Sequence, residues 1–219
     1  MIYGLIPIGG AGTRMSLPYS KEMLPQKNFD YFNPVANHTV EKMKAAGATT
    51  LVFVHGLEFK QDVKKYFDNK DCLHINQERL GSANTICDFY NQIKPNDHDV
   101  ILFGLPDSVS GKNLFTEMVN KPDIVCGLFC TNNQTKVDRL NTSGELFQVK
   151  TAKHNTNQDW FWGVVKFDGK NIRQMLNDSI FDQYSDLGNI LNLYNKTMVY
   201  GDGYLDLGTW SNYNQYLSE

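Results

Sequence analysis

Six residues near the amino terminus have the makings of an anion cradle. Gly9-Gly10-Ala11-Gly12-Thr13-Arg14 follows directly on the apolar run Ile2–Ile8. A buried strand therefore leads into a turn whose amides gather at the strand's carboxyl end, where glycine lets an anion come close. Phosphate suits such a turn. Two standard phosphate loops fail on residue type: a dinucleotide fingerprint needs a third glycine where Met15 stands, and a P-loop needs Gly-Lys followed by Ser or Thr. A glycine turn after a strand is by itself usually only a turn, but this one continues through Arg14 and Pro18 to Ser20-Lys21-Glu22-Met23-Leu24-Pro25. Arg14 and Lys21 bring two cations within one loop's reach of the amides, enough to bind a polyphosphate and offset charge that develops on it.

Positioning these groups needs a scaffold, and the pattern along the chain predicts one. Strands are expected at Ile2–Ile8, Thr50–Val54, Leu73–Asn76, Val100–Leu105 and Ile124–Phe129, with helices at Pro34–Gly47, Glu58–Phe67 and Ser82–Asn91 between them. Such alternation predicts an α/β fold, a Rossmann-like sheet, mostly parallel, with helices on both faces and its functional groups at the carboxyl ends of the strands. Beyond residue 130 the alternation breaks down. Strand-like runs at Leu146–Val149, Trp160–Phe167, Met198–Tyr200 and Tyr204–Leu207, with helices at Ile172–Leu176 and Asp186–Tyr194, predict that the sheet continues as a mixed one. No repeat or long polar linker divides the chain, so one domain over 1–219 is expected.

Composition narrows the function. The 219 residues are 41% hydrophobic and 21% charged, with 17 Gly and 7 Pro, which is ordinary for a globular protein able to bury a core. A net charge of -3 without a basic run argues against nucleic acid as partner. The apolar runs are far shorter than the ~20 residues of a membrane span, and Gly9, Gly10, Gly12 and Arg14 interrupt the start, so neither a membrane partner nor a secretory signal is expected. The four cysteines Cys72, Cys87, Cys126 and Cys130 lack the close pairs of a zinc or redox site and read as reduced, mostly packed thiols. A soluble, cytoplasmic protein is the expectation; a homo-oligomer is left open.

The segments G-G-A-G-T-R and S-K-E-M-L-P together resemble the signature of the sugar nucleotidyltransferases, the nucleotide-sugar pyrophosphorylases. The likeness continues in the family's order along nearly the whole chain. Gln77, a few residues ahead of Gly81-Ser82-Ala83, resembles the segment that contacts the base. Leu105-Pro106-Asp107-Ser108 is similar to the segment that carries a metal-binding aspartate, and Tyr204-Leu205-Asp206-Leu207-Gly208-Thr209 to the one with the second. Trp162-Gly163-Val164-Val165-Lys166-Phe167 resembles the strand that closes over the sugar, and Ser185-Asp186-Leu187-Gly188-Asn189 the start of a family helix. The chain resembles a minimal catalytic core, with a nucleotide-binding part over about 1–130 and a sugar-binding part over about 131–219.

The resemblance implies transfer of a nucleotidyl group from a nucleoside triphosphate, dTTP or UTP, to a sugar 1-phosphate, with release of pyrophosphate and no covalent protein intermediate. It implies Gly9, Gly10, Ala11, Gly12, Thr13, Gln77 and Gly81 as nucleotide-binding, Arg14 and Lys21 as catalytic cations, and Asp107 and Asp206 as ligands of Mg2+. Magnesium takes oxygen ligands, often one or two carboxylates plus substrate phosphates. Gly163 and Lys153 fall to the sugar phosphate, with Lys150 as the alternative to Lys153. Here the chain departs from the family, because Val149-Lys150-Thr151-Ala152-Lys153-His154 lacks the glutamates that precede that lysine. An acceptor other than a sugar, such as phosphocholine with cytidine triphosphate, is the first rival, and a catalytically silent nucleotide-binding protein of the same fold the second. The aromatic run Trp160-Phe161-Trp162 is open between pocket wall and core.

Overall fold

A computed structural model describes residues 1–9, 15–28, 31–79, 81–130, 139–140, 146–147 and 160–219. The predicted apolar runs are strands: β1 (Ile2–Ile8), β2 (Thr50–His55), β3 (Cys72–Asn76), β4 (Val100–Gly104), β6 (Ile124–Cys130), β9 (Trp160–Asp168) and β10 (Lys196–Gly201). They form one sheet in the order β10-β6-β9-β4-β1-β2-β3, with the short strands β7 (Arg139–Leu140) and β8 (Leu146–Phe147) attached beyond β9. Every neighbouring pair along that order is parallel except those of β9, which runs antiparallel to both β4 and β6. The mostly parallel mixed sheet expected from the alternation is the one observed.

Both faces are covered, which is why the strands read as continuous apolar runs. On one face α3 (Ser82–Ile93), α5 (Gly169–Asn177), α6 (Ile180–Gln183) and α7 (Leu187–Asn192) bury Ile86, Phe89, Ile172, Met175 and Ile190 against Leu5, Val52, Phe103 and Val165. On the other, α1 (Ala36–Ala45), α2 (Gln61–Tyr66) and α4 (Leu114–Met118) press Val40, Met43, Val63 and Phe115 onto Ile6, Phe53 and Leu102. Three α-helices escaped the sequence reading: α4, α6 and the carboxyl-terminal helix α8 (Trp210–Ser218). A tenth strand-like element, β5 (Ser108–Ser110), pairs antiparallel with β11 (Tyr204–Asp206) away from the main sheet.

The order of strands fixes where a ligand can enter. The chain goes from β1 outward to β2 and β3 on one side, then returns to place β4 on the other side of β1. A crevice opens at such a switch point beyond the carboxyl ends of the strands. Here it lies between the end of β1, which leads to Gly9, and the end of β4, which leads to Asp107.

Two histidines tie β2 to β3 near the same edge. Lys60 N–H donates to His55 Nδ1 (3.1 Å), so His55 carries its proton on Nε2 and passes a hydrogen bond to His74 Nδ1 (2.9 Å). The ring of His55 is wholly buried and stacks on Phe59 at 4.0 Å between centroids. Burial, then the neighbouring His74 and Lys60, push His55 down to about 4, and burial pushes His74 down as well. His38, on α1, is also lowered to about 4 by burial and by Lys42. Below pH 6.5 the unfolded chain therefore takes up protons that the folded one refuses. Stability should be intact at neutral pH and decline steadily as pH falls from 6.5 toward about 4. Thermal unfolding followed across that range checks this, and equal midpoints at pH 7 and pH 5 would contradict it.

Candidate active site

The segment carrying Lys21 is held by its neighbours. Ser20 gives both its backbone N–H and its hydroxyl to the Asp62 carboxylate (2.8 and 2.7 Å). Glu22 is buried, 1% exposed, and accepts two bonds from Lys60 Nζ (3.1 and 2.9 Å). Met23 enters the core beside α1 and α2. Residues 21–23 form a single 3-10 turn between these anchors. With both flanking residues committed to α2, the Lys21 side chain extends across to Asp107 and forms an ion pair with its Oδ2.

Asp107 and Asp206 come together through β5 and β11. Asp206 is the register partner of Ser108, and Leu207 N–H donates to the Asp107 carbonyl (2.8 Å). Asp206 also accepts from Gly208 N–H through Oδ1 (2.8 Å), which orients its carboxylate. Helix α8 holds this strand pair to the segment after the glycine turn. Asn212 Nδ2 donates to the Asp206 carbonyl (2.7 Å), Trp210 Nε1 to the Met15 carbonyl (2.9 Å) and Tyr213 hydroxyl to the Pro25 carbonyl (2.7 Å). A small apolar cluster of Met15, Leu24, Val35, Leu207 and Tyr213 fills the space beneath.

Charge in this centre is balanced by proximity. Burial pulls the Lys21 pKa down, but the carboxylates of Asp107, Glu22 and Asp206 outweigh that and leave it above the ordinary lysine value. Lys21 is therefore a fixed positive charge at neutral pH, beside Asp107, just ahead of β5, and Asp206, on β11. Asp107 and Asp206 supply oxygen donors, the kind Mg2+ takes when a few carboxylates and substrate phosphates share the ion.

Gly9 and Gln77 lie on the other side of the crevice. Gly9 touches Gly56 so closely that a Cβ on Gly56 would stand 2.9 Å from the Gly9 carbonyl oxygen, which explains glycine at position 56. Gln77 is nearly buried against Gly9, and its Nε2 donates to the Gly81 carbonyl (2.7 Å). Gly81 has φ +119°, open only to glycine, and a Cβ there would overlap the Ser185 carbonyl.

Of the remaining sequence-derived site residues, Gly163 is the extra residue of a β-bulge, since Gly127 and Leu128 face Val164 and Trp162 with Gly163 unpaired between them. Trp162 is core, 2% exposed. Gly10, Ala11, Gly12, Thr13, Arg14, Lys150, Lys153 and His154 lie outside the described residues. The sequence reading missed Glu22, Lys60, Asp62 and the α8 latch. Glu22 offered one signal, a charge amid an otherwise apolar Met-Leu-Pro segment, but its partner lies 38 residues away. Among the described residues, Cys72, Cys87 and Cys126 are free thiols, and no helix is long and apolar enough to cross a membrane.

No protein-family model matches the sequence, and no curated protein matches it. Solved structures do match in fold. One is a Bacillus anthracis protein assigned as a glucose-1-phosphate thymidylyltransferase, solved with sucrose: TM-score 0.79, 18% identity, covering 100% of this chain and 94% of that one. Another is a UDP-glucose pyrophosphorylase solved with UDP-glucose: TM-score 0.74, 16% identity, covering 100% and 98%. The chain has the nucleotide-diphospho-sugar transferase fold, as the sequence motifs led us to expect.

The Glu22–Lys60 pair has a direct energetic test. Glu22→Gln leaves the Lys60 ammonium against a neutral amide in a largely dry setting, and breaking a buried pair in this way costs about 3 kcal/mol. Urea unfolding should show a loss of that order; an unchanged midpoint would mean that the pair does not anchor the segment.

Proposed function

We propose that the protein is a nucleotidyltransferase that joins a nucleoside triphosphate, dTTP or UTP, to a sugar 1-phosphate, releasing pyrophosphate and leaving a nucleotide sugar. The observation that carries this is the meeting of Lys21, Asp107 and Asp206 at the switch-point crevice beside Gly9. The shared fold supports it, since the matched structures are assigned to this chemistry.

The reaction is an in-line attack by an oxygen of the sugar phosphate on the α-phosphorus of the triphosphate. It brings two polyanions together, so the protein's task is to position them and to offset their charge. The amides of residues 9–13 cradle the triphosphate, and Arg14 holds its β- and γ-phosphates as they leave. Lys21, already protonated, offers its charge nearer the reacting phosphorus. Asp107 and Asp206 would hold Mg2+, which when bound acts as a Lewis acid on the phosphate oxygens. Lys153 and Gly163 receive the sugar phosphate.

Gln77 bears on the choice of base. Its Nε2 must be the atom that faces the Gly81 carbonyl, because only the NH2 can donate, so Oε1 is left as an acceptor. Thymine and uracil present an N–H at the corresponding edge, whereas cytosine presents an acceptor there. Gln77 therefore favours dTTP or UTP.

The test is pyrophosphate release, read by phosphate detection with added pyrophosphatase, over a grid of triphosphates and sugar 1-phosphates with Mg2+. Turnover is expected with dTTP or UTP. Arg14→Ala and Asp206→Ala should each lower it more than ~100-fold, the usual loss for a charge-stabilising group, with little change in melting temperature. Full activity in either variant, or no turnover in any well from folded protein, would overturn the assignment.

A further inference from the structure

Asp107 stands just ahead of a strand pair too short to fix its position unaided. β5 and β11 have three residues each, and a two-stranded ladder of that size is marginal by itself in water. Its register turns successive residues of β5 to opposite edges. Leu207 N–H donates to the Asp107 carbonyl and Gly111 N–H to the Gly203 carbonyl (both 2.8 Å), so these peptide groups face β11. Ser110, the register partner of Tyr204, therefore points its own N–H and carbonyl to the outer edge.

Among the described residues no strand covers that edge, and α1 completes it with side chains. His38 and Lys42, one helical turn apart, divide the two groups between them. Ser110 N–H donates to His38 Nε2 (3.0 Å), and Lys42 Nζ donates to the Ser110 carbonyl (2.5 Å). Lys42 Nζ also donates to Ser110 Oγ (2.8 Å) and to the carbonyls of Gly111 and Lys112 (both 3.2 Å), so one ammonium gathers the end of β5 and the loop beyond it. On the other flank of Asp107, Thr39 Oγ1 donates to the Leu105 carbonyl (2.8 Å). The segment is thus tied to α1 both before and after the aspartate.

The states of these side chains suit the arrangement. Burial and then Lys42 lower His38 to about 4, so at neutral pH the ring is uncharged and Nε2 keeps a lone pair for Ser110 N–H. Burial lowers Lys42 to about 8, which leaves it mostly an ammonium at neutral pH. α1 is a firm base for the clamp, because Val40 and Met43 hold it to the sheet. It also comes close to the end of β4, where a Cβ on Gly104 would stand 3.0 Å from Met43 Cε and 3.1 Å from Thr39 Cγ2.

We propose that His38, Thr39 and Lys42 are positioning residues that hold the Asp107 segment against α1, so that its carboxylate meets Asp206 about one divalent metal ion. This rests on the transferase reading of the site for the presence of that ion. Mg2+ demands near-ideal octahedral geometry, so a carboxylate on a loosely held segment would bind it weakly. Groups that orient a metal ligand from behind are commonly worth about 10- to 100-fold in affinity.

A binding measurement tests this without requiring turnover. The affinity of the full chain for dTTP or UTP is measured with and without Mn2+, the bound ion being followed by its EPR spectrum, and the ratio of the two affinities is the metal's contribution. Lys42→Met and His38→Phe should each lower that ratio about tenfold or more, with the metal-free affinity unchanged. Loss of a nearby cation would by Coulomb's law alone tighten a divalent ion, so in Lys42→Met the sign separates positioning from charge. A merely structural role would lower the melting temperature and leave the ratio of the folded protein intact. Lys112→Met removes the same charge from the same loop, where the side chain pairs with Glu117, and should keep the wild-type ratio. Thr39→Val exchanges one hydroxyl for a methyl, keeps α1, and should lower the ratio about threefold; it carries the test where a larger change prevents folding. An unchanged or larger ratio in all three clamp variants, an equal loss in Lys112→Met, or a wild type that gains no affinity from Mn2+ would overturn the proposal. A lowered ratio beside a silent pyrophosphate assay would keep the clamp and remove the transferase reading. Wild-type turnover with the ratio intact in every variant would do the reverse.

Discussion

An ammonium placed in a largely dry crevice loses its proton unless opposite charge sits close by, and carboxylates in the same setting face the mirror-image penalty. Lys21 and Asp107 meet that constraint together, each largely shielded from water, with Asp206 near enough to add to the balance. Removing Lys21 or Asp107 would leave its partner's charge uncompensated, so that pair holds as a unit. With two aspartates about a single ammonium, a bound polyanion calls for further cations at this centre. The remaining structure serves to bring these three side chains to one place from residues 21, 107 and 206.

Three separate devices achieve this. The switch of chain direction beside β1 opens the crevice and puts the ends of β1 and β4 on its two walls. The β5–β11 pairing brings Asp107, just ahead of β5, beside Asp206 on β11, and α8 fastens that strand pair to the segment after the glycine turn. Asp62 and the Glu22–Lys60 pair fix the Lys21 segment to α2 from the other side. The positions of the charges therefore follow from backbone pairing and buried polar contacts, and little is left to long flexible side chains.

Much of this could be read from the residues alone. The strands of the main sheet are apolar runs that follow one another at the spacing of strand–helix units, so β1, β2, β4 and β6 were legible by period. Motifs that the likeness to the sugar nucleotidyltransferases picked out led to Lys21, Asp107 and Asp206, whose proximity no local pattern could announce. What stayed hidden was hidden for physical reasons. β5 has three residues, two of them serine, and gains its strand character only from β11, nearly a hundred residues later. α8 has too mixed a surface for a clear apolar stripe and is fastened by hydrogen bonds to carbonyls. Glu22 and Lys60 become partners only in three dimensions, and the bulge at Gly163 inverts the alternation from which an indole's direction would be inferred.

The central claim is that Lys21, Asp107 and Asp206 surround one triphosphate–metal unit. A crystal structure of the full chain grown with dTTP or UTP and Mn2+ in place of Mg2+ tests it most directly, because the metal's anomalous scattering locates the ion independently of any assumption about the ligand. The account predicts a single strong peak within coordinating distance of both carboxylates, with the α-phosphate beside Lys21 and the glycine turn wrapped around the triphosphate. A peak at another surface, or a triphosphate bound away from the crevice, would contradict it.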